Sequence, residues 1–246
     1  MVPALVFTTI YDGRKANRQR FPVVNSSTSK AAMNTQLKLK FYYDFVLGQV
    51  YDEGFSPFHQ AITKDVVEKF IDPMGLPKDS KIVDLGCGPG YFLDEMKTRG
   101  YTDVTGITLS IEDANRCVDK KHKVLRADMN FLSVPDESQD LLFCRHSLEH
   151  SPFPYITLLE YNRVLKPRGH LYIEVPQPNC DQAHENNRNH YSIMDKTMWL
   201  SLLSRTGFDV TWYEYSFPVE FSDERGTVEE RYYIFVCQRQ RPVDVK

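Results

Sequence analysis

The chain has 246 residues, of which 41% are hydrophobic and 26% charged, with a formal net charge of -3. That length suits one globular domain with a sizeable core, or a domain plus a modest extension, and the near-balanced charge gives no global attraction to nucleic acid or an anionic membrane. The five cysteines, Cys87, Cys117, Cys144, Cys180 and Cys237, contain no C-x-x-C pair; neither a disulfide framework nor a thiolate zinc cluster is expected, and a reducing, cytoplasmic setting fits best.

Residues 3–10 are apolar but short, lack a preceding basic region and run into Asp12, Arg14, Lys15 and Arg18. This is neither a signal peptide nor a membrane span, and no later stretch is long enough to cross a bilayer. Residues 1–33 read as an N-terminal extension ending in a polar linker at 25–30, and residues 34–246 as one domain. Leu37, Phe41, Tyr42, Phe45, Val46 and Val50 recur at helical spacing, as do Ile62, Val66, Val67, Phe70 and Ile71, which predicts two leading helices over about 34–72. Phe41, Phe45 and Phe70 are expected to pack on a sheet, whereas the phenols of Tyr42, Tyr43 and Tyr51 suit a wet edge.

An apolar run at 81–85 then stops at three alternating glycines, Gly86, Gly88 and Gly90. It reads as a buried strand feeding a ligand-binding turn and a helix over 91–99, with Gly100 as its stop. Strands near 103–108, 123–126, 140–145 and 169–175 alternate with helical stretches, so a parallel sheet with right-handed crossovers is predicted. Asp195 can cap a helix whose inner face is Trp199, Leu202 and Leu203 and whose stop is Gly207. Runs at 208–215 and 231–237, with only a loop between them, should form an antiparallel hairpin.

Ligands of such sheets bind outside the carboxyl ends of the strands. A dinucleotide turn would place its third glycine at position 91, where Tyr91 stands. The D-x-G-x-G-x-G pattern at 84–90 instead resembles motif I of the class I S-adenosylmethionine (SAM) dependent methyltransferases, in their small-molecule, type-11-like branch. Segments 104–110, 125–129, 140–150 and 163–171 resemble that family's second strand, adenine loop, fourth strand with its substrate-facing loop, and entry to strand five. The resemblance implies a three-layer, Rossmann-like α/β fold with a mostly parallel seven-stranded sheet and an antiparallel C-terminal hairpin. It implies SAM as cofactor, with Asp84, Gly86, Gly88 and Gly90 at its methionine part, Thr108 at the ribose, and Asp128 and Met129 at the adenine. Thr108 departs from the acidic residue most such sequences carry there, and the G-I-T-L-S form is similar to cyclopropane-fatty-acid and sterol methyltransferases.

His146, Glu149 and His150 form the most unusual cluster. If 145–150 make one helical turn, all three share a face. H-x-x-E-H matches the inverzincin protease pattern, but here it follows a strand and not a long helix. The loop is similar to the C-x-E-x-L-E-H of ubiquinone-biosynthesis O-methyltransferases, whose carboxylates and histidine bind a metal. Three roles stay open: ligands of a divalent metal ion, a general base, or support for the pocket. The polar stretch 184–192 follows the fifth strand and suits substrate binding at the same edge.

The leading expectation is SAM-dependent O-methylation of a small-molecule acceptor, with a histidine base or a divalent metal. The alternatives are a lipid C-methyltransferase and a non-catalytic SAM-binding interaction domain. No nucleic acid partner is expected, because 145–147 reads Arg-His-Ser where amino methylation needs a D/N-P-P-Y/F motif, and Cys180 follows Asn179 where a cytosine C5 nucleophile follows proline.

Overall fold

In a computed structural model of the chain, residues 9–10, 30–51, 53–220 and 226–240 are described. The predicted alternation is present. Strand β1 (Thr9–Ile10) is followed by helices α1 (Lys30–Gln49) and α2 (Pro57–Val66), then β2 (Lys81–Leu85), α3 (Tyr91–Thr98), β3 (Asp103–Thr108), α4 (Ile111–Asp119) and β4 (Lys123–Arg126). The second half comprises β5 (Gln139–Arg145), α5 (Pro154–Val164), β6 (Leu165–Pro176), α6 (Lys196–Arg205), β7 (Phe208–Glu220) and β8 (Thr227–Arg239). One mixed sheet runs β1-β4-β3-β2-β5-β6-β8-β7, parallel from β4 to β6 and antiparallel at β8 and β7. Seven of these strands are those predicted; the eighth is the two-residue β1, which pairs antiparallel with β4 at the sheet edge.

β2 and β5 are neighbours from which the chain winds outward in opposite directions, so their carboxyl ends open the crevice where a doubly wound sheet binds its ligand. Leu141, Leu142, Phe143 and Cys144 are all buried, as a parallel strand covered on both faces requires. On one face Phe92, Phe143 and Tyr172 stack nearly flat, with ring centroids 3.8 and 4.9 Å apart. On the other, Leu158, Tyr161, Trp199 and Leu203 from α5 and α6 cover the sheet. The Asp195 cap forms as predicted, its carboxylate accepting from the Met198 N–H at 3.0 Å, and Gly207 follows the helix at φ 86°.

The N-terminal part differs from expectation. α1 begins at Lys30, inside the predicted extension, and most of the linker at 25–30 lies outside the described residues. Phe41 and Phe45, expected on the sheet, are 64% and 55% exposed. α1 lies across the carboxyl edge of the sheet, where Tyr42 meets Phe153, Tyr43 meets Phe131 and Phe45 meets Tyr191. A helix laid over a rim buries only part of its apolar face. Phe70 does pack as expected, against Tyr172 and Tyr213.

Candidate active site

The turn after β2 is built from positive φ angles: 75° at Gly86, 47° at Gly88 and 89° at Gly90. A Cβ on Gly86 would lie 2.1 Å from Ser147 Oγ, so this glycine lets the loop after β5 close onto the turn. Gly90 lines neither cavity described below; its missing Cβ makes room for Cys117 Sγ, which would stand 2.8 Å away, and it starts α3.

Two adjoining cavities open at the carboxyl edge of the sheet. The first, of about 150 Å3, is lined by Gly86, Gly88, Thr108, Asp128 and Met129 under Tyr42 of α1. The Asp128 carboxylate accepts from the Asn130 N–H at 2.9 Å, from Asn130 Nδ2 at 2.7 Å and from the Tyr42 hydroxyl at 3.3 Å. Burial raises its pKa against the pull of those donors. Asn130 is held in turn by Ser151, whose hydroxyl donates to its Oδ1 at 2.6 Å. Thr108 caps its own turn, accepting from the Ser110 N–H at 3.1 Å. A carboxylate reaches this cavity from the next helix: Asp113, in the first turn of α4, is 2% exposed, lines this cavity and is held by Arg116 at 2.7 Å.

The second cavity, of about 360 Å3, shares Tyr51, Glu53, Gly86, His146 and His150 with the first. Its wall is polar: five of the seven histidines line it, His59, His146, His150, His184 and His190. Asp84 lines it too, and its carboxyl group has no hydrogen bond to any described residue. Burial and the nearby Glu53 carboxylate raise the Asp84 pKa well above the usual range.

The one-helical-turn geometry expected for 145–150 does not form. Arg145 ends β5, His146 takes a left-handed φ of 50°, and only Leu148–His150 make a short 3-10 turn. His146 therefore aims its Nε2 toward β6, while its Nδ1 stays 3.9 Å from Glu149 Oε1. Its backbone N–H donates to the Glu174 carbonyl at 3.0 Å, and its Nε2 lies 2.8 Å from Glu174 Oε1. Glu174 is fully buried. Burial alone would raise its pKa, but Arg145, His146 and the Tyr172 hydroxyl outweigh that and hold it at about 2. An ionised carboxylate only accepts, so Nε2 of His146 carries the proton and Nδ1 is left as the acceptor. Burial and Arg145 push His146 down to about 4, so it is neutral at pH 7.

Glu149 is 1% exposed, its Oε2 has no partner among the described residues, and burial pushes it up to about 8. The carbonyl of Glu149 accepts from the N–H groups of Tyr191 and Ser192 at 2.8 and 3.0 Å, which ties the loop after β6 to the loop after β5. That tie brings His190 beside His150. The group of donors close enough to hold one metal ion is Glu149, His150 and His190, within 4.8 Å of one another. His146 is not in it, because its imidazole is turned to Glu174. His150 and His190 each direct Nδ1 at a backbone carbonyl, of Asn189 at 2.8 Å and His184 at 2.9 Å, so both donate there and leave Nε2 as the acceptor, which in His190 takes a hydrogen bond from Asn187 Nδ2 at 3.2 Å.

Sequence reasoning missed Asp113, Arg145 and Glu174. Only Glu174 carried a signal, a charged residue inside the otherwise apolar run of β6.

A turn of this geometry at the switch point of this strand order defines a class. A family model described as a methyltransferase domain matches residues 59–211, and the chain belongs to that family, the class I SAM-dependent methyltransferases. Among curated relatives it is similar to the 27-O-demethylrifamycin SV methyltransferase of Amycolatopsis mediterranei, 28% identical over 52% of this chain and 51% of that one. It is 30% identical to the ubiquinone biosynthesis O-methyltransferase of Photobacterium profundum over 51% of this chain and 56% of the relative. The chain thus spans about half the length of the curated relatives it matches. In fold it is similar to a SAM-dependent methyltransferase from Archaeoglobus fulgidus, at a TM-score of 0.58, 17% identity, and 72% and 94% coverage of the two chains. No helix among the described residues is long and apolar enough to cross a membrane.

Proposed function

We propose that this chain methylates an oxygen of a compact, polar small molecule, with the adenosyl part of SAM in the first cavity, its amino-acid end reaching past the turn into the second, the acceptor in the rest of the second, and His146 between them as general base. The observation that carries this reading is the placement of His146: it lines both cavities, its Nε2–H is fixed by a buried carboxylate, and its Nδ1, 3.9 Å from Glu149 Oε1, makes no hydrogen bond among the described residues. SAM, when bound, supplies an electrophilic methyl on a sulfonium. The residues of the chain position the acceptor oxygen against that methyl and take its proton at His146 Nδ1. The relative from Photobacterium profundum named as an O-methyltransferase supports the oxygen acceptor. The imidazoles and Asn187 along the second cavity suit hydrogen-bonding acceptors and give a sterol or acyl chain little apolar bed. In this reading residues from 34 onward form the catalytic domain, with α1 and α2 as its cap.

Asp84 is suited to the cofactor's ammonium, Gly86 and Gly88 to the methionine end, Asp113 with Thr108 to the ribose, and Asp128 with Met129 to the adenine. A charge-assisted hydrogen bond is worth about 1.5 to 3 kcal/mol, so Asp128→Ala should weaken SAM binding by roughly ten-fold or more in a calorimetric titration. An unchanged dissociation constant removes Asp128 from the adenine site. A screen of acceptor classes with methyl-labelled SAM tests the reading as a whole, and SAM binding with no methylated product from any class would favour a non-catalytic SAM-binding domain.

One observation favours a second reading of the same loop. The orphaned Glu149 Oε2 and the Nε2 atoms of His150 and His190 form a two-histidine, one-carboxylate set that suits a divalent transition metal. If that set works in catalysis, a strong chelator abolishes turnover and a divalent ion restores it. Turnover indifferent to chelation leaves His146 acting alone.

A further inference from the structure

Arg145 closes β5 with 9% of its side chain exposed. Its Nε donates to Glu174 Oε1 at 3.0 Å. No described residue bonds its two terminal nitrogens, which are not among the solvent-shielded orphans and so open onto the second cavity that Arg145 lines. A guanidinium stays charged at any physiological pH, and its paired N–H groups match the two oxygens of a carboxylate. Among the residues lining either cavity, Arg145 is the only lysine or arginine. Asp84 faces the same cavity with its carboxyl group unbonded. A free cationic fork and the carboxyl groups of Glu53, Asp84 and Glu149 on one cavity complement a zwitterion, with the ammonium on the carboxyl side, where Asp84 stands, and the carboxylate at Arg145.

We propose that Arg145 is the anchor for a carboxylate, namely that of the amino-acid end of SAM, an inference that rests on the methyltransferase reading. Arg145 and His146 are consecutive, and both bond Oε1 of Glu174, at 3.0 and 2.8 Å. One buried carboxylate thereby holds the cofactor anchor and the base in a fixed relation. The anchor sets where the cofactor stops, and its neighbour in the chain meets the acceptor there.

The test compares S-adenosylhomocysteine with its decarboxylated analogue, which keeps the ammonium and lacks only the carboxylate. Dissociation constants for both are measured by calorimetry on the wild type, Arg145→Gln and Arg145→Lys. The wild type should prefer S-adenosylhomocysteine by about ten-fold or more, Arg145→Gln should bind the two within about two-fold of each other, and Arg145→Lys should fall between. The preference is a ratio within each variant, so a general loss of stability cancels. Should Arg145→Gln not fold, Arg145→Lys, which keeps a cation beside Glu174, must still show a reduced preference. A preference that persists undiminished in the variants overturns the anchor and is the outcome expected if Arg145 serves an acid on the acceptor instead. A wild type that binds S-adenosylhomocysteine without preference also overturns it, whereas a wild type that binds neither nucleoside overturns the methyltransferase reading beneath it.

Discussion

Replacing His146 with alanine should lower turnover by roughly 100- to 10,000-fold, the range in which positioned general bases contribute, while the affinity for S-adenosylhomocysteine changes by about two-fold or less. The split follows from the geometry. His146 Nδ1 is an acceptor without a hydrogen bond among the described residues where the two cavities meet, whereas the groups suited to adenine and ribose, Asp128 and Asp113, line the first cavity alone. The pH profile carries the same information with a defined sign. A base acts in its neutral form, and burial with the neighbouring guanidinium holds His146 at about 4. Activity limited by this group is therefore retained down to about pH 5 and falls as the pH drops through 4, well below the break near 6.5 expected of an unperturbed histidine. Full turnover in His146→Ala would reduce the imidazole to a packing role against Tyr232, whose ring centroid lies 4.4 Å away.

Glu174→Ala should lower stability by about 3 to 5 kcal/mol, since it strands a nine-tenths buried guanidinium without its partner. For a chain of this size that corresponds to a drop in Tm of roughly 6 to 20 °C in a thermal melt. The carboxyl binds a proton more weakly in the fold, at about 2, than its ordinary value of 4.5. The unfolded chain thus takes up the proton first as the pH falls. The stabilisation, about 3 kcal/mol, is complete above pH 5 and is lost between about 4.5 and 2 in the wild type, and is missing from the variant across that window. Equal acid sensitivity of both proteins would show that Glu174 is not ionised in the fold. An unchanged melting temperature would contradict the buried network of Arg145, His146, Tyr172 and Glu174.

The two effects are separable because they act at different distances from the chemistry. His146 meets the acceptor directly, whereas Glu174 acts through His146 and Arg145. Glu174→Gln keeps an acceptor for the His146 Nε2–H and removes the charge, so it should recover part of the turnover lost in Glu174→Ala and little of the stability.

Local and periodic information determined the parts of this protein that depend on neighbours in sequence. The run at 81–85 with its glycines, the strands at 103–108 and 123–126, the Asp195 cap and the terminal hairpin were legible because each is fixed by a short pattern: an apolar run, a cap, a stop, a turn. That Asp84, Thr108, Asp128 and Met129 line the cavities was legible for the same reason, since each lies within three residues of a strand's carboxyl end, and strand ends converge on one edge. The tertiary structure decided what no local pattern encodes. Phe41 and Phe45 repeat with the same period as buried residues, yet α1 lies over a rim, so both stay more than half exposed among the described residues although Phe45 meets Tyr191. Gly90 matches a cofactor motif, yet the atom nearest its missing Cβ is Cys117 Sγ. His146 shares a predicted helical face with Glu149 and His150, but a left-handed φ of 50° turns it to Glu174, 28 residues on. Asp113, Arg145 and His190 reach the cavities from a helix, a strand end and a loop that only the closed sheet brings together, and a contact between distant elements leaves no periodic trace in any one of them.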